Sequence, residues 1–269
     1  MPLVARVAIE GHDVHREPVS FRLSRYDAQY NGTLASAPLK ALEDDVAQHW
    51  VPRLTLSALA GRDADVSWDW PNDVLAPAFK HLRTGEPRGG TLLVLESDRC
   101  PCQPEGVARI IYGWDTFHLP RRMLRRGRGP VAPVASYVDT IAVAPWNRVD
   151  VPPPPRVRDL GKLLLFASIL LSYEDGKDGR VALHAASLAE DWYRQMLPGA
   201  RFSYDGRELG DERDPDDGND YGPYIEVDDD AARAYCKHVV GAVPCASAVV
   251  PIVPSNVVNA LSWFCQGSL

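Results

Sequence analysis

The sequence predicts an α/β fold, because strand-like and helix-like patterns alternate along the chain. Short runs of alternating apolar and polar residues, the period of half-buried strands, recur in the N-terminal half. The segment from Asp159 to Glu174 is apolar on nearly every side, which predicts a helix buried against a sheet. A strand pattern and a second helix pattern follow it, and this order is typical of α/β proteins.

The N-terminal half combines these strand patterns with helical ones. From Leu39 to Ala60 apolar residues recur at three- and four-residue steps, which predicts a helix that Pro52 kinks or splits. A turn leads into a shorter helix from Asp73 to Leu82, and Gly89-Gly90 then opens a run of strands. The strands predicted in this half are Leu3 to Ile9, Val19 to Leu23, Thr91 to Leu95, Val107 to Tyr112 and Tyr137 to Ala144.

The C-terminal half continues the alternation. Gly176 to Gly179 ends the buried helix, and Arg180 to Ala185 follows as a short strand. Ser187-x-x-Glu190 is a capping box that starts a helix through Met196. A further strand at Tyr224 to Val227, a helix at Ala231 to Val240 and a tail of no clear period complete the chain. We therefore expect one domain over residues 1–240 and an extension over residues 241–269.

The composition is that of a folded globular protein. The chain has 269 residues, of which 45% are apolar and 24% are charged, and these values exclude a collagen-like, coiled-coil or wholly disordered protein. The formal net charge of -7 argues against a protein that binds nucleic acid or an anionic membrane over its whole surface. The strongly apolar stretch from Leu163 to Leu171 is about half the length of a membrane span. We expect a soluble, cytoplasmic protein.

An arginine cluster lies between the strands at Val107 and Tyr137. Arg121-Arg122-Met123-Leu124-Arg125-Arg126-Gly127-Arg128 has five arginines in eight positions. It is either a solvated basic loop or an electrostatic docking site that steers an anionic ligand.

No motif predicts a metal site. Cys100 and Cys102 form a C-P-C pair, but a second pair at zinc spacing is missing, so the five cysteines are expected to be free thiols. The acidic run that starts at Asp214 departs from a calcium loop in the positions of its glycine and its twelfth residue, which favours an acidic surface loop. His184 and His238 are expected to be packed or solvent-facing, and the motifs of serine hydrolases, P-loop proteins and zinc peptidases do not occur.

The stretch from Tyr137 to Gly161 carries the chemistry. A strand leads through a four-proline run at Pro152 to Pro155 into the start of the buried helix. The first N–H groups of a helix lack partners within it, and together with the helix dipole they bind phosphate oxygens. This geometry suits a pyrophosphate, although the same pattern also fits an ordinary helix start.

The order of motifs around this stretch resembles the GNAT superfamily, the general N-acetyltransferases that use acetyl-CoA. The resemblance covers Thr91 to Phe202. Ile141-Ala142-Val143-Ala144-Pro145 is similar to the family's strand before its pyrophosphate loop, and Arg156-x-x-Asp159-x-Gly161 is similar to the loop itself. Asp159 replaces the loop's central glycine, and its carboxylate either repels the pyrophosphate or caps the helix. Gly179 to His184 and Trp192 to Met196 resemble the next strand and helix.

The resemblance implies a mixed central sheet carrying helices on both faces, and it implies functional residues. Tyr193 matches the tyrosine that serves as general acid near the sulfur of the cofactor. Asp139, on one strand face with Ile141 and Val143, is the expected base, and Glu96 is a second candidate. The resemblance implies acetyl-CoA as co-substrate, bound by residues of the strand, the loop and the helix start: Ile141, Ala142, Val143, Arg156, Arg158, Gly161, Lys162 and Leu163.

Acyl transfer from acetyl-CoA to an amine of a small molecule or protein is therefore the function that we expect. It needs alignment of the reactants, an N–H donor for the oxyanion, a base and an acid, and no metal. One alternative is a non-catalytic GNAT-like module for binding or assembly, which Asp159 favours. Another is acetylation of an amine on RNA, which the arginine cluster favours and the net charge disfavours.

Overall fold

The computed structural model describes a central sheet and the helices packed on it. The residues that it describes are 7–12, 18–27, 44–46, 48–50, 52–53, 90–98, 103–116, 134–147, 157, 159–186, 189–203 and 221–242. The α-helices are α1 (Leu160–Glu174), α2 (Glu190–Met196) and α3 (Asp229–Ala242), with a 3-10 turn at Pro145–Asn147. The strands are β1 (Val7–His12), β2 (Pro18–Asp27), β3 (Gly90–Ser97), β4 (Pro104–Asp115), β5 (Val134–Val143), β6 (Val181–Ala186), β7 (Arg201–Ser203) and β8 (Tyr221–Val227).

These strands form one sheet of mixed direction. Within the described ranges it has eight strands in the order β1-β2-β3-β4-β5-β6-β8-β7. Strands β1 to β5 are antiparallel neighbours, β5 pairs with β6 in parallel, and β8 pairs antiparallel with both β6 and β7. The parallel pair is joined by α1, so β5, α1 and β6 form a β-α-β crossover inside an otherwise antiparallel sheet. The α/β prediction with a mixed central sheet is confirmed.

Helix α1 is the centre of the core. Of its fifteen residues, eleven are buried, from Leu160 to Ser172, as the sequence predicted for a helix apolar on all sides. It ends where Gly176 and Gly179 adopt positive φ angles of 72° and 79°, which glycine reaches without steric cost. A side chain at Gly179 would collide with the ring of Tyr173, so this turn requires glycine.

Helices α2 and α3 pack on the same side as α1. Leu197, which follows α2, and Tyr235 and Val239 of α3 join α1 and the side chains of Leu93 and Leu95 in one core cluster. Successive strand residues point to opposite faces, so Leu92, Val94 and Val107 lie on the other face, where they are buried as well. Both faces of the sheet are therefore covered. No helix in the described part of the chain is both long enough and apolar enough to span a membrane.

Some element boundaries differ from the predicted ones. Helix α2 starts at Glu190, and Ala189 occupies its N-cap position without a side-chain hydrogen bond, while Ser187 of the predicted capping box lies outside the described residues. Residues 44–46, 48–49 and 52–53 are helical within the predicted Leu39 to Ala60 helix, with a turn at Trp50 just before Pro52. The predicted helix from Asp73 to Leu82 and most of the tail lie outside the described residues.

Candidate active site

The sheet splits where its two parallel strands end. Strands β5 and β6 are in register at Ser136, Tyr137 and Val138, which face Val181, Ala182 and Leu183. Beyond this point residues 140–143 stay paired with β4, while β6 stays paired with β8. A gap therefore opens between the carboxyl ends of β5 and β6, the place where open α/β sheets bind ligands.

Backbone groups of β5 point into this gap. The N–H of Ala144 donates to the carbonyl of Glu105 on β4 at 2.9 Å. Because N–H directions alternate along a strand, the N–H of Ala142 also points to β4, whereas the N–H groups of Ile141 and Val143 point toward the gap. The N–H of Ile141 is directed as the predicted contact with the cofactor requires, and cofactor binding by Ile141 and Val143 stays a prediction. The N–H of Ala142 is not, because it is directed at β4, and the Ala142 side chain is buried.

A β-bulge moves Asp139 to the opposite face. Arg109 pairs with Thr140 while Ile110 pairs with Val138, so Asp139 is the extra residue of β5. Its carboxylate accepts hydrogen bonds from Arg109 at 3.0 Å and from Thr140 at 3.2 Å, on the face away from α1. The expectation that Asp139 shares a face with Ile141 and Val143 is therefore wrong, because the bulge shifts the alternation of side chains.

The second candidate base lies away from the gap. Glu96 is on β3, and its register partner on one side is Pro104 of β4. Strand β4 therefore separates Glu96 from β5. The structure does not bring Glu96 to the gap.

The N-terminus of α1 presents backbone N–H groups that have no acceptor within the helix. Its first intrahelical bond runs from the Leu163 N–H to the carbonyl of Asp159 at 3.0 Å. The N–H groups of Leu160, Gly161 and Lys162 precede that bond and have no acceptor within the helix. The prediction that Leu163 donates to a pyrophosphate is wrong, because its N–H is already bound and its side chain is buried.

Asp159 occupies the N-cap position in a glycine-like conformation. Its φ of 61° and ψ of 16° are left-handed, a region that aspartate tolerates better than most residues. Its side chain makes no capping hydrogen bond, so the expected cap is absent. The carboxylate instead forms an ion pair with Lys162, with 2.7 Å between Oδ1 and Nζ. Arg156 and Arg158, the other predicted phosphate ligands, lie outside the described residues, as does the Arg121 to Arg128 cluster.

Helix α2 packs beside this helix start. Among the described residues, a Cβ built on Gly161 would meet only the ring of Trp192, at 4.0 Å. Trp192 in turn makes an edge contact with Tyr193, with 4.8 Å between the ring centroids. Tyr193 is 8% exposed, and burial raises the pKa of its hydroxyl above the ordinary value. From α3, the Tyr235 hydroxyl donates to the Lys162 carbonyl at 2.9 Å and holds the first turn of α1 in place. The structure thus brings Tyr193 to the region of Gly161 and Lys162.

Sequence reasoning missed a tyrosine-histidine pair at the start of the gap. The Tyr137 hydroxyl and the Nδ1 of His184 are 2.6 Å apart, and His184 follows the last residue of β6 that pairs with β5. The pair lies on the face away from α1, with the His184 ring 5.0 Å from that of Tyr224. The spacing of one aromatic and one histidine on separate strands gives no local signal of this contact.

Sequence reasoning also missed a buried carboxylate that contacts the 3-10 turn after β5. Glu105 is fully buried and accepts hydrogen bonds from Ser97, Trp146 and Asn147 at 2.7, 2.6 and 2.5 Å. A single glutamate in the otherwise apolar start of β4 was the only available signal.

Comparisons with known proteins give a distant likeness. No protein-family model matches the chain, and no curated protein matches it in sequence. Its structure is similar to a crystal structure described as histone acetyltransferase HPA2 and related acetyltransferase from Corynebacterium glutamicum, with 18% sequence identity and a TM-score of 0.38. The similarity covers 71% of this chain and 91% of that one.

Proposed function

We propose that this protein transfers an acyl group from a CoA thioester to an amine, with acetyl-CoA as the preferred donor. The observation that carries the proposal is the split between β5 and β6 next to the start of α1. In a β-α-β crossover the helix begins at the carboxyl end of the first strand, so the free N–H groups of α1 and the gap lie at one end of the sheet. A ligand that combines phosphates with an extended amide chain fits these two features.

The residues present fit CoA. The N–H groups of Leu160, Gly161 and Lys162 have no acceptor within α1 and are the proposed donors to the pyrophosphate, and Gly161 has no side chain to obstruct them. The Lys162 ammonium partly offsets the negative charge that Asp159 places nearby. The N–H of Ile141 points into the gap, where it would pair with the amides of pantetheine as a neighbouring strand does.

Bound acetyl-CoA would supply the activated carbonyl, and the protein supplies donors, a base and an acid. Asp139 forms an ion pair with Arg109 on the face of β5 away from α1, so we propose that the amine approaches from that face. Burial raises the pKa of the Tyr193 hydroxyl, which is protonated at neutral pH even at the ordinary value, so the hydroxyl has a proton to donate to the departing thiolate in this proposal. The proposed transfer uses these protein groups and does not require a metal ion.

A non-catalytic binding module is the second candidate. Two observations favour it: Asp159 brings a carboxylate to the phosphate site, and the Asp139 carboxylate is engaged by Arg109. Such a protein would bind CoA and leave the thioester intact. Acetylation of an amine on RNA depends on Arg121 to Arg128 and stays a prediction.

Thermal unfolding with added acetyl-CoA tests the proposal. A ligand at 100 times its Kd stabilises the native state by about 2.7 kcal/mol. We expect a clear rise in Tm with acetyl-CoA and none with S-acetyl-pantetheine at the same concentration, because the latter lacks the phosphates. Release of free thiol with a panel of amines then separates the two candidates. Absence of any shift at millimolar acetyl-CoA would contradict both.

A further inference from the structure

Glu105 is a buried carboxylate whose partners among the described residues are all uncharged. Ser97 donates to its Oε1, and the indole of Trp146 and the amide of Asn147 donate to its Oε2. No ion pair joins it to a lysine or arginine of the described residues. Burying a carboxyl group in place of an apolar side chain is costly unless the group is both hydrogen-bonded and paired with an opposite charge, and Glu105 has the hydrogen bonds without the ion pair.

The partners of Glu105 connect the end of β5 to the beginning of α1. Trp146 and Asn147 belong to the 3-10 turn that directly follows β5. The Oδ1 of Asn147 accepts a hydrogen bond from the N–H of Val157 at 3.0 Å, and Val157 is fully buried. Val157 lies between Arg156 and Arg158 and two residues before the N-cap Asp159. The side chain of Asn147 therefore bridges the carboxylate of Glu105 and the entry to α1.

The same region is anchored from two further sides. The Ala144 N–H donates to the backbone carbonyl of Glu105, and the indole N–H of Trp50 donates to the carbonyl of Pro104 at 3.2 Å. Trp50 also makes an edge contact with Trp146, with 6.2 Å between the ring centroids. The turn after β5 is thus fixed against the start of β4 by both backbone and side chains.

We propose that Glu105 is a positioning residue for the phosphates of the acyl donor, acting through Asn147 and Val157. The inference rests on the proposed function. The phosphate donors sit at the start of α1 and the thioester site sits at β5, and the chain between them spans residues 144–159. The hydrogen-bonded path from Glu105 to Val157 sets the distance between these two sites, because it ties residue 147, just after β5, to residue 157, just before α1.

A purely structural role for Glu105 makes a different prediction. It would stabilise the fold in all states, and its loss would lower Tm without changing the affinity of the folded protein for CoA. A substitution at Ser97 distinguishes the positioning role from the purely structural role. Ser97 donates to the other oxygen of the same buried carboxylate and lies outside the path from Glu105 through Asn147 to Val157, so Ser97→Ala is a matched control for the loss of one buried hydrogen bond.

The experiment measures CoA binding by calorimetry, at a temperature where each variant is folded by circular dichroism. We expect Glu105→Ala and Asn147→Ala to raise the Kd for CoA by about tenfold or more, since small displacements of binding groups have effects up to about 100-fold. Ser97→Ala should bind CoA as the parent does. Equal affinity of the parent and of folded Asn147→Ala would overturn the proposal, even if Glu105→Ala does not fold.

Glu105→Gln distinguishes geometry from charge. The glutamine oxygen accepts from both Trp146 and Asn147 while its amide donates to the Ser97 hydroxyl, so every bond is retained without the charge. We expect the Kd of this variant to stay within about threefold of the parent, because the placement of Val157 is preserved. A loss of affinity as large as that of Glu105→Ala would refute positioning by hydrogen bonds.

Amide hydrogen exchange without ligand separates this inference from the proposed function. We expect the Val157 amide to exchange faster in Glu105→Ala and Asn147→Ala than in Ser97→Ala or the parent. Failure of the parent to bind CoA would overturn the proposed function and the role of Glu105 toward phosphates. If the parent binds CoA but the Val157 amide exchanges at the parent's rate in Glu105→Ala and Asn147→Ala, only the positioning path would be overturned.

Discussion

Gly161→Ala is expected to raise stability and weaken CoA binding at once. Gly161 lies in the first turn of α1, and the added methyl group would meet the Trp192 ring at an ordinary contact distance of 4.0 Å and no other atom of the residues that the structure describes. Alanine is favoured over glycine inside a helix by about 0.5–1 kcal/mol. We therefore expect a free energy of unfolding higher by up to about 1 kcal/mol, and a Tm higher by about 2–4 °C.

The same methyl group stands beside the donors that the pyrophosphate needs. It crowds the N–H groups of Gly161 and Lys162, and we expect the Kd for CoA to rise by about tenfold, which corresponds to about 1.4 kcal/mol. Gly161→Val, with its branched side chain, should abolish binding. Urea unfolding and calorimetric titration with CoA provide the two measurements.

A control on the same helix isolates the position. Ser168 is buried two turns further along α1, where its hydroxyl donates to the Leu164 carbonyl. Ser168→Ala also raises helix propensity but lies away from the N-terminus, so CoA affinity should not change. A Gly161→Ala protein that is more stable and binds CoA as tightly as the parent would refute the phosphate site at α1.

Three further predictions follow from the site and the core. Asp159→Gly should tighten CoA binding, because it removes a carboxylate from the phosphate site; weaker binding in calorimetry would contradict this. The substitution should not destabilise the protein, because glycine adopts a φ of 61° freely and the exposed ion pair with Lys162 contributes little. Tyr193→Phe should lower turnover by about 10²- to 10⁴-fold and leave the Kd for CoA unchanged; a loss of stability with normal turnover would assign Tyr193 to packing alone. Burial raises the pKa of the Cys236 thiol from 9.0 to about 12, so the native thiol keeps its proton above pH 9 while the unfolded thiol loses it. The Cys236 thiol should therefore lower the free energy of unfolding by about 1.4 kcal/mol per pH unit as the pH rises from 9 toward 12. Cys236→Ala should remove this contribution to the pH dependence of stability, and equal slopes of unfolding free energy against pH for the two proteins would refute the prediction.

Elements with a strong local pattern were predictable from the sequence. Helix α1 extends from Leu160 to Glu174, close to the segment from Asp159 to Glu174 that its largely apolar sequence predicted. Strand β8 and helix α3 also lie at their predicted places, although each is longer than the pattern. These elements follow from residues within a few positions of one another, which is the range over which periodicity carries information.

The details of the site depend on contacts between distant segments. The bulge that turns Asp139 toward Arg109 arises from the register of β5 on β4, and strand alternation alone placed Asp139 on the wrong face. Glu105 and Asn147 are 42 positions apart in the sequence, so their hydrogen bond had no local signature. The sequence placed Gly161 and Lys162 at a helix start, and only the structure shows that the Leu163 N–H is already bound.

A crystal structure with bound acetyl-CoA tests the central claim most directly. We expect the pyrophosphate within hydrogen-bond distance of the Gly161 and Lys162 N–H groups, and the thioester in the gap between β5 and β6 near Ile141. Acetyl-CoA bound elsewhere on the protein, or bound here with its phosphates away from α1, would contradict the proposed function.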